Sequence, residues 1–440
     1  MRKRIITVII ASTILTMLAA CGKTAEETKV AETVEANEEE SVAEPTPSPE
    51  EIIEEALSEG KAYYYALDGK KADLDKALEE FKKAAELDSA DAYYYIGAVQ
   101  YKEEKYDEAK LAYEKAIELG NSMAKLGLGQ IYQRGYGVEK DYAKAKELYE
   151  AAVSEGCIEA NAGLGDLYQT GYGVDADGSK AVEFFEKAAT GNEPEWVTYA
   201  YGSLMYMYHG GYDGVEKNEE KIEEYSAKVC ELCKGWEPDY YMWPGNLYYG
   251  DGEYDKAIEY YEIAGEEGCA DGYKEIGGIY SNWFGNTAEF VDYPKAMEYY
   301  EKAADMGDGD AMFCIGTMYE NALGVETDYT KAVEWLDKAA NHDQVGALAE
   351  LGFLYYQGIG VEKDIDKACK YFERGADLGG TVSMLNLGVM YYNGEGVEKD
   401  EQKAAEYFKK IMEIEPEDSN VYKNTKALYD SLVKAGRITE

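Results

Sequence analysis

The sequence predicts an all-α protein: an α-solenoid of stacked helix-turn-helix repeats closed by a C-terminal capping helix. Three observations carry this. Two near copies of one pattern, VGALAELGFLYYQGIGVEKDIDKACKYFERGADLGG and TVSMLNLGVMYYNGEGVEKDEQKAAEYFKKIMEIE, are in register on Gly352 and Gly388, 36 residues apart. The same glycine recurs upstream at Gly97, Gly129, Gly165, Gly202, Gly245, Gly277 and Gly316, in steps of 32 to 43 residues, the period of a repeat array. A tyrosine follows three residues later at Tyr132, Tyr168, Tyr248, Tyr280, Tyr319, Tyr355 and Tyr391; only the units at Gly97 and Gly202 break this rule, with Gln100 and Met205.

A chain of 440 residues would ordinarily divide into two or three globular domains. A solenoid grows by stacking and has no single core to outgrow. The 45 glycines and 8 prolines suit many short helices joined by tight turns. Tyrosine is abundant, 43 against 9 Phe and 5 Trp, so some rings are expected on a surface where ring and hydroxyl are both useful. The formal charge of −44 argues against nucleic acid and anionic lipid headgroups, both of which need a basic face. It favours solubility, and it would attract a cationic partner.

The chain opens with MRKRIITVIIASTILTMLAAC, a basic stretch followed by an apolar run too short to span a bilayer comfortably. Leu18-Ala19-Ala20-Cys21 resembles the lipobox of bacterial lipoproteins. That resemblance implies a signal peptide over 1–21, lipidation (diacylglyceryl, with palmitate) of Cys21, and a mature chain anchored to a membrane outside the cytoplasm. Residues 22–50 are acidic, lack aromatic residues and end in Pro-Thr-Pro-Ser-Pro, which predicts a disordered tether.

Repeats occupy 51–416. In 51–121, DKALEEFKKAAEL and EAKLAYEKAIEL are amphipathic and the loops short; the unit at Asp91–Leu119 resembles a tetratricopeptide repeat. From Ser122 the units gain a glycine-rich connector: Leu-Gly, Tyr, Gly-x-Gly-Val, then Lys-Ala and Ala-Ala. This resembles the Sel1-like repeat, a relative of the tetratricopeptide repeat, closely over 122–192, more loosely over the first half of 269–416 and closely again in its second half. Residues 193–268 diverge: the connector HGGYDGV is longer, and Trp243-Pro244 interrupts the register. Either the array changes curvature there or a partner is bound there. Residues 417–440 follow no repeat rule and predict the capping helix.

Each repeat position has a physical reading. Gly352 and Ala368 sit where the first helix (A) and second helix (B) of a repeat cross closely. Gly358 and Gly360 end helix A and bend the connector. Asp364, with Asp141, Asp328 and Asp400, caps helix B. Trp335, Tyr371 and Phe408 are its bulky residues.

Catalytic patterns are weak. The only histidines are His209 and His342, and no HExxH motif exists. Cys230 and Cys233 lack the second pair that zinc needs, and the remaining cysteines read as small apolar residues. Ser122-Met-Ala-Lys125 and Ser431-Leu-Val-Lys434 match S-x-x-K without its companion elements. A non-enzyme without cofactor or metal is expected.

A surface stripe remains. Counting from the anchor glycine, offsets −3, +1 and +4 collect Tyr94, Tyr101, Gln130, Gln133, Asp166, Gln169, Tyr199, Tyr206, Asn246, Tyr249, Tyr356 and Tyr392. The tetratricopeptide resemblance implies that this stripe lines a concave groove. The expectation is a scaffold or adaptor binding a protein or peptide there. The alternative is a surface lipoprotein that stacks cell-wall or dietary glycan on its tyrosines.

Overall fold

In the computed structural model, the described residues are 47–438 except 68, 69, 71, 235–237, 284 and 286. Cys21, the 1–21 segment and most of the 22–50 segment lie outside them. The described residues are all α-helical with short 3-10 turns and no strand. Helices pair as α1 (Pro49–Tyr64) with α2 (Leu74–Ala85), α3 (Ala90–Lys102) with α4 (Tyr106–Glu118), α5 (Met123–Arg134) with α6 (Tyr142–Ser154), and α7 (Asn161–Thr170) with α8 (Gly178–Ala188). Next come α9 (Pro194–Gly210) with α10 (Glu219–Leu232), α11 (Met242–Gly250) with α12 (Tyr254–Glu266), and α13 (Ala270–Ser281) with α14 (Tyr293–Asp305). The last pairs are α15 (Gly309–Glu320) with α16 (Tyr329–Asn341), α17 (Val345–Gln357) with α18 (Ile365–Asp377), and α19 (Thr381–Asn393) with α20 (Glu401–Ile414); α21 (Asn420–Lys434) closes the array. Among the described residues no helix is long and apolar enough to cross a membrane.

The first helix begins inside the stretch expected to be a tether. Pro49 takes the first helical position, where a missing N–H is harmless, and Ser48 and Glu51 form a reciprocal capping box. The Pro-Thr-Pro-Ser-Pro run therefore ends as a helix start.

One contact explains the anchor glycine. A Cβ on Gly352 would lie 2.5 Å from the ring of Phe372, because that ring rests on the glycine. The same close approach joins Gly129 to Tyr149, Gly165 to Phe185, Gly316 to Leu336, and Gly388 to Phe408, each pair twenty residues apart. It also joins Gly60 to Phe81 in the first hairpin, and in the short units Gly97 to Tyr113 and Gly245 to Tyr261. Phe81, Phe185, Tyr149 and Phe408 are almost wholly buried, and the Ala-Ala positions of helix B fill the remaining space. In two repeats the buried residue of helix B lies one position beyond the one expected: Leu336 replaces Trp335 and Phe372 replaces Tyr371.

Tyr371 has a different partner. It stacks on Tyr355 at 5.7 Å between centroids, and the Lys367 ammonium lies 4.1 Å above the Tyr355 ring. Tyr168 with Phe184 and Lys180, Tyr280 with Tyr299 and Lys295, and Tyr391 with Tyr407 and Lys403 repeat this arrangement. The tyrosine three residues past the anchor thus joins a cation-topped aromatic stack within its own repeat. Asp141, Asp328, Asp364 and Asp400 cap helix B by accepting a backbone N–H, as expected. Helix A ends at Gly358 with φ +75°, and Gly360 follows at +71° with its α-carbon against Tyr329, so the connector needs glycine twice over. At the far end, Tyr429 and Leu432 of α21 and Ile438 cover Phe408.

The unit at 193–268 keeps the architecture and changes its chemistry. Its outer stack is formed by Tyr208 with Tyr225 and Lys221. Tyr208 lies three residues past Met205, so the anchor position of this unit is Met205 and not Gly202. Met205 is fully buried, and its sulfur lies 3.2 Å from the hydroxyl of buried Ser226, which stands where other repeats carry the ring. Glycine-plus-ring has become methionine-plus-serine, an exchange that conserves volume. Gly202 has another use: a Cβ there would lie 2.1 Å from the Trp243 ring.

Candidate functional site

The stripe residues do not form one continuous groove. Helix α9 starts against the first two hairpins, about a hundred residues upstream. Glu193 accepts hydrogen bonds from Tyr95 (2.7 Å) and Tyr65 (3.0 Å) and pairs with Lys61 at 3.5 Å. Glu195 accepts from Tyr64 (3.0 Å) and lies 3.7 Å from Lys102. The Trp196 indole N–H donates to Tyr94 across 3.4 Å. Upstream of the helix, the Glu159 carboxylate accepts the N–H groups of Asn192 and Glu193, which fixes the entry of the chain. These groups close over Tyr94, Tyr101 and Gln130, leaving a cavity of about 90 Å³ that Tyr199 and Tyr240 also line. Tyr94 is buried, with 5% of its surface exposed, so this part of the stripe faces the protein's own segment.

Beyond that plug lies an open pocket of about 700 Å³. Four stripe residues converge on it from three successive A helices: Gln133 from α5, Asp166 and Gln169 from α7, and Tyr199 from α9. Asp166 forms a buried part of the wall. It accepts a 2.8 Å hydrogen bond from the Tyr199 hydroxyl, and burial pushes its carboxyl up to about 6, against the opposing pull of Tyr199, Arg134 and Gln133. The Gln133 carbonyl accepts from the Tyr149 hydroxyl at 2.6 Å, which ties the wall to the ring under the anchor glycine. Gln169 donates to the Tyr212 hydroxyl at 3.2 Å.

The rest of the pocket comes from the connectors. Tyr136 and Tyr172 are the middle residues of two Gly-Tyr-Gly connectors, and Tyr212 occupies the longer connector after α9. Tyr136 stacks on Tyr106 at 4.2 Å and Tyr172 on Tyr142 at 4.8 Å, each clamped by the first residue of the preceding helix B. Arg134 at the end of α5 and Lys140 in its connector supply positive charge. None of these connector residues belongs to the predicted stripe. The signal for them is in the sequence: tyrosine fills the middle of the connector here, where the later copies carry Ile359 and Glu395.

The other stripe residues stay apart from this pocket. The Tyr206 hydroxyl donates to the Trp243 carbonyl at 3.3 Å, Asn246 accepts from Tyr261 at 2.8 Å, and Tyr249 packs edge-on against Tyr254. Tyr356 hydrogen-bonds Glu395 of the next connector, and Lys399 lies over Tyr392. In the S-x-x-K matches, Lys125 pairs with Glu155, and the Ser431 hydroxyl donates to the Leu428 carbonyl at 2.6 Å. His209 lies 2.9 Å from the Asp251 carboxylate.

Comparison with known proteins follows the same lines. The tetratricopeptide repeat model matches residues 91–119 and 238–264. No curated protein sequence matches the chain. Among solved structures, a protective antigen of uropathogenic Escherichia coli with an SLR fold is 26% identical, covering 90% of this chain and 91% of its own, with a TM-score of 0.39. A Sel1 repeat protein from Oxalobacter formigenes is 23% identical over 92% of this chain and 98% of its own, with a TM-score of 0.45. Immunity protein Pa5087 of Pseudomonas aeruginosa is 20% identical over 58% of this chain and 82% of its own, with a TM-score of 0.31. The Sel1 repeat model matches residues 56–89, 120–157, 158–193, 198–221, 271–308, 309–343, 345–380 and 381–411. These matches span more than half of the chain, which belongs to the Sel1 repeat family of α-solenoid, generally non-catalytic scaffolds.

Proposed function

We propose that this chain is a scaffold or adaptor, tethered to a bacterial membrane outside the cytoplasm through lipidated Cys21, that captures a protein or peptide partner. One observation carries the choice of site: Gln133, Asp166, Gln169 and Tyr199, from three successive A helices, meet in one open pocket. Two primary amides and a phenol present donors and acceptors to a peptide backbone, and the flanking tyrosines offer faces to its side chains. Site-specific photo-crosslinking in cells tests this. A crosslinker at Gln169 should trap a defined partner that one at exposed Leu111 does not; equal trapping from both positions would remove the site. For the tether, Cys21→Ser should abolish labelling by an alkyne analogue of palmitate and release the protein from membranes. Unchanged labelling would refute lipidation at this cysteine.

The glycan reading rests on Tyr172 and Tyr212, whose surfaces are 51% and 38% exposed. Retention on a glycan array, lost on Tyr172→Ala, would favour it over peptide capture.

A further inference from the structure

We infer that the pocket between α5, α7 and α9 selects a peptide segment bearing a carboxylate, held by Arg134 and Lys140, although the protein as a whole is strongly acidic. The inference rests on the peptide-capture reading and adds the charge of the ligand.

The described residues include three arginines. Arg374 grips Asp343 at 2.6 Å and Arg437 grips Glu401 at 2.6 Å. Arg134 has no carboxylate within ion-pair distance among the described residues, and neither has Lys140, yet both border the pocket. Elsewhere the basic side chains are mostly committed, either to acids one helical turn away or to the rings of the outer stacks, as with Lys180, Lys295 and Lys367. The one acid lining the pocket, Asp166, is buried, bonded to Tyr199 and acts on Arg134 from beyond ion-pair distance; it offsets one of the two positive charges and leaves the other uncompensated. The pocket is thus a basic spot inside a chain of formal charge −44. A guanidinium with no carboxylate in ion-pair contact suits an incoming one, which it meets with two parallel hydrogen bonds. Gln133 and Gln169 match the amides on either side of such a residue, and the Tyr142–Tyr172 stack forms a wall for its neighbour's side chain.

The surrounding charge gives the inference a distinctive sign. An acidic peptide is repelled at long range and attracted only on contact. Salt screens the long-range part more than the partly buried contact, over a Debye length of about 8 Å at physiological ionic strength. Association of an acidic peptide should therefore quicken as salt rises from low to physiological concentration. A cationic partner drawn by the net charge would slow instead.

The test uses the full chain and a positional hexapeptide library. Each position is set to Glu, Lys, Tyr or Ala, with C-termini free or amidated. Glu-bearing peptides should be retained about tenfold or more over their Lys counterparts, the scale of one charge-assisted hydrogen-bonded contact. Arg134→Gln with Lys140→Gln should erase that preference, Arg134→Lys should keep part of it, and Arg374→Gln should leave it intact. The free and amidated arms separate a terminal carboxylate from a side-chain one. A preference for Lys, or one for Glu that survives the double substitution, overturns the inference. Equal retention of acidic and neutral peptides overturns it while sparing peptide capture. Retention of no peptide, or of oligoglucuronate instead, overturns both.

Discussion

The repeats at 345–412 and the unit at 193–268 show two uses of the same hairpin. In the first, packing is local: Phe372 covers its own repeat's glycine, Tyr371 stacks on its own repeat's Tyr355, and Arg374 reaches back only to Asp343. In the second, Glu193, Glu195 and Trp196 reach hairpins about a hundred residues earlier. The divergent unit therefore gives up regularity for a long-range contact, which occupies the N-terminal part of the stripe and leaves the pocket of Gln133 and Asp166 open beside it. A solenoid built only from the regular unit would have nearest-neighbour contacts and nothing else.

The comparison can be broken at three places. Phe372→Ala empties the space above Gly352 and should cost about 3–5 kcal/mol. Its effect should stay local: hydrogen exchange should quicken in α17–α19 and leave α1–α3 unchanged. Spread to α1–α3 would show that the array folds as one unit. Next, Asp166→Asn should change the pH dependence. The folded carboxyl titrates at about 6, above the ordinary value of 3.8, so between those values the native state holds a proton that the unfolded chain has released. Stability from this group is full below the unfolded value and is lost as pH rises through about 6, a loss of about 3 kcal/mol. The asparagine variant should lack that fall and be the more stable protein at pH 7; denaturant midpoints at pH 4 and pH 7 measure both. The smallest effect is expected from Glu193→Ala, about 1–3 kcal/mol for the loss of the carboxylate that Tyr65 and Tyr95 donate to. It should raise exchange in α1 and α3 while α17–α20 stay protected. Equal protection in α1 and α3 would mean that the plug contributes nothing to the first hairpins.

Much of the array is legible in the sequence because its signals are backbone requirements. Gly352, Gly358, Gly360 and Asp364 are each dictated by a close approach, a positive φ or a free helix amide. The unit at 193–268 misleads at its anchor because two side chains exchange size: Met205 and Ser226 conceal the glycine rule, and Gly202 mimics it while making room for Trp243. The site is half legible. Helical spacing finds Gln133, Asp166, Gln169 and Tyr199, since that periodicity survives in any repeat. It cannot show that Tyr94 is covered, because the covering residues lie about a hundred positions away. Arg134, Lys140, Tyr136 and Tyr172 lie at or beyond the end of a helix, where a rule of helical offsets has no reach.

The Met205–Ser226 pair also sets a rule for exchanging modules. Either residue alone is incompatible with the common repeat: methionine opposite phenylalanine would collide, and glycine opposite serine would leave a hole. The two positions must change together, by inheritance or by design. A consensus hairpin could replace 193–230 only as a whole, and doing so would delete Glu193, Glu195 and Trp196 with it. The same cut that regularises the array would uncover Tyr94 and Tyr101, and a chain edited in that way would expose a longer run of the stripe than the natural one.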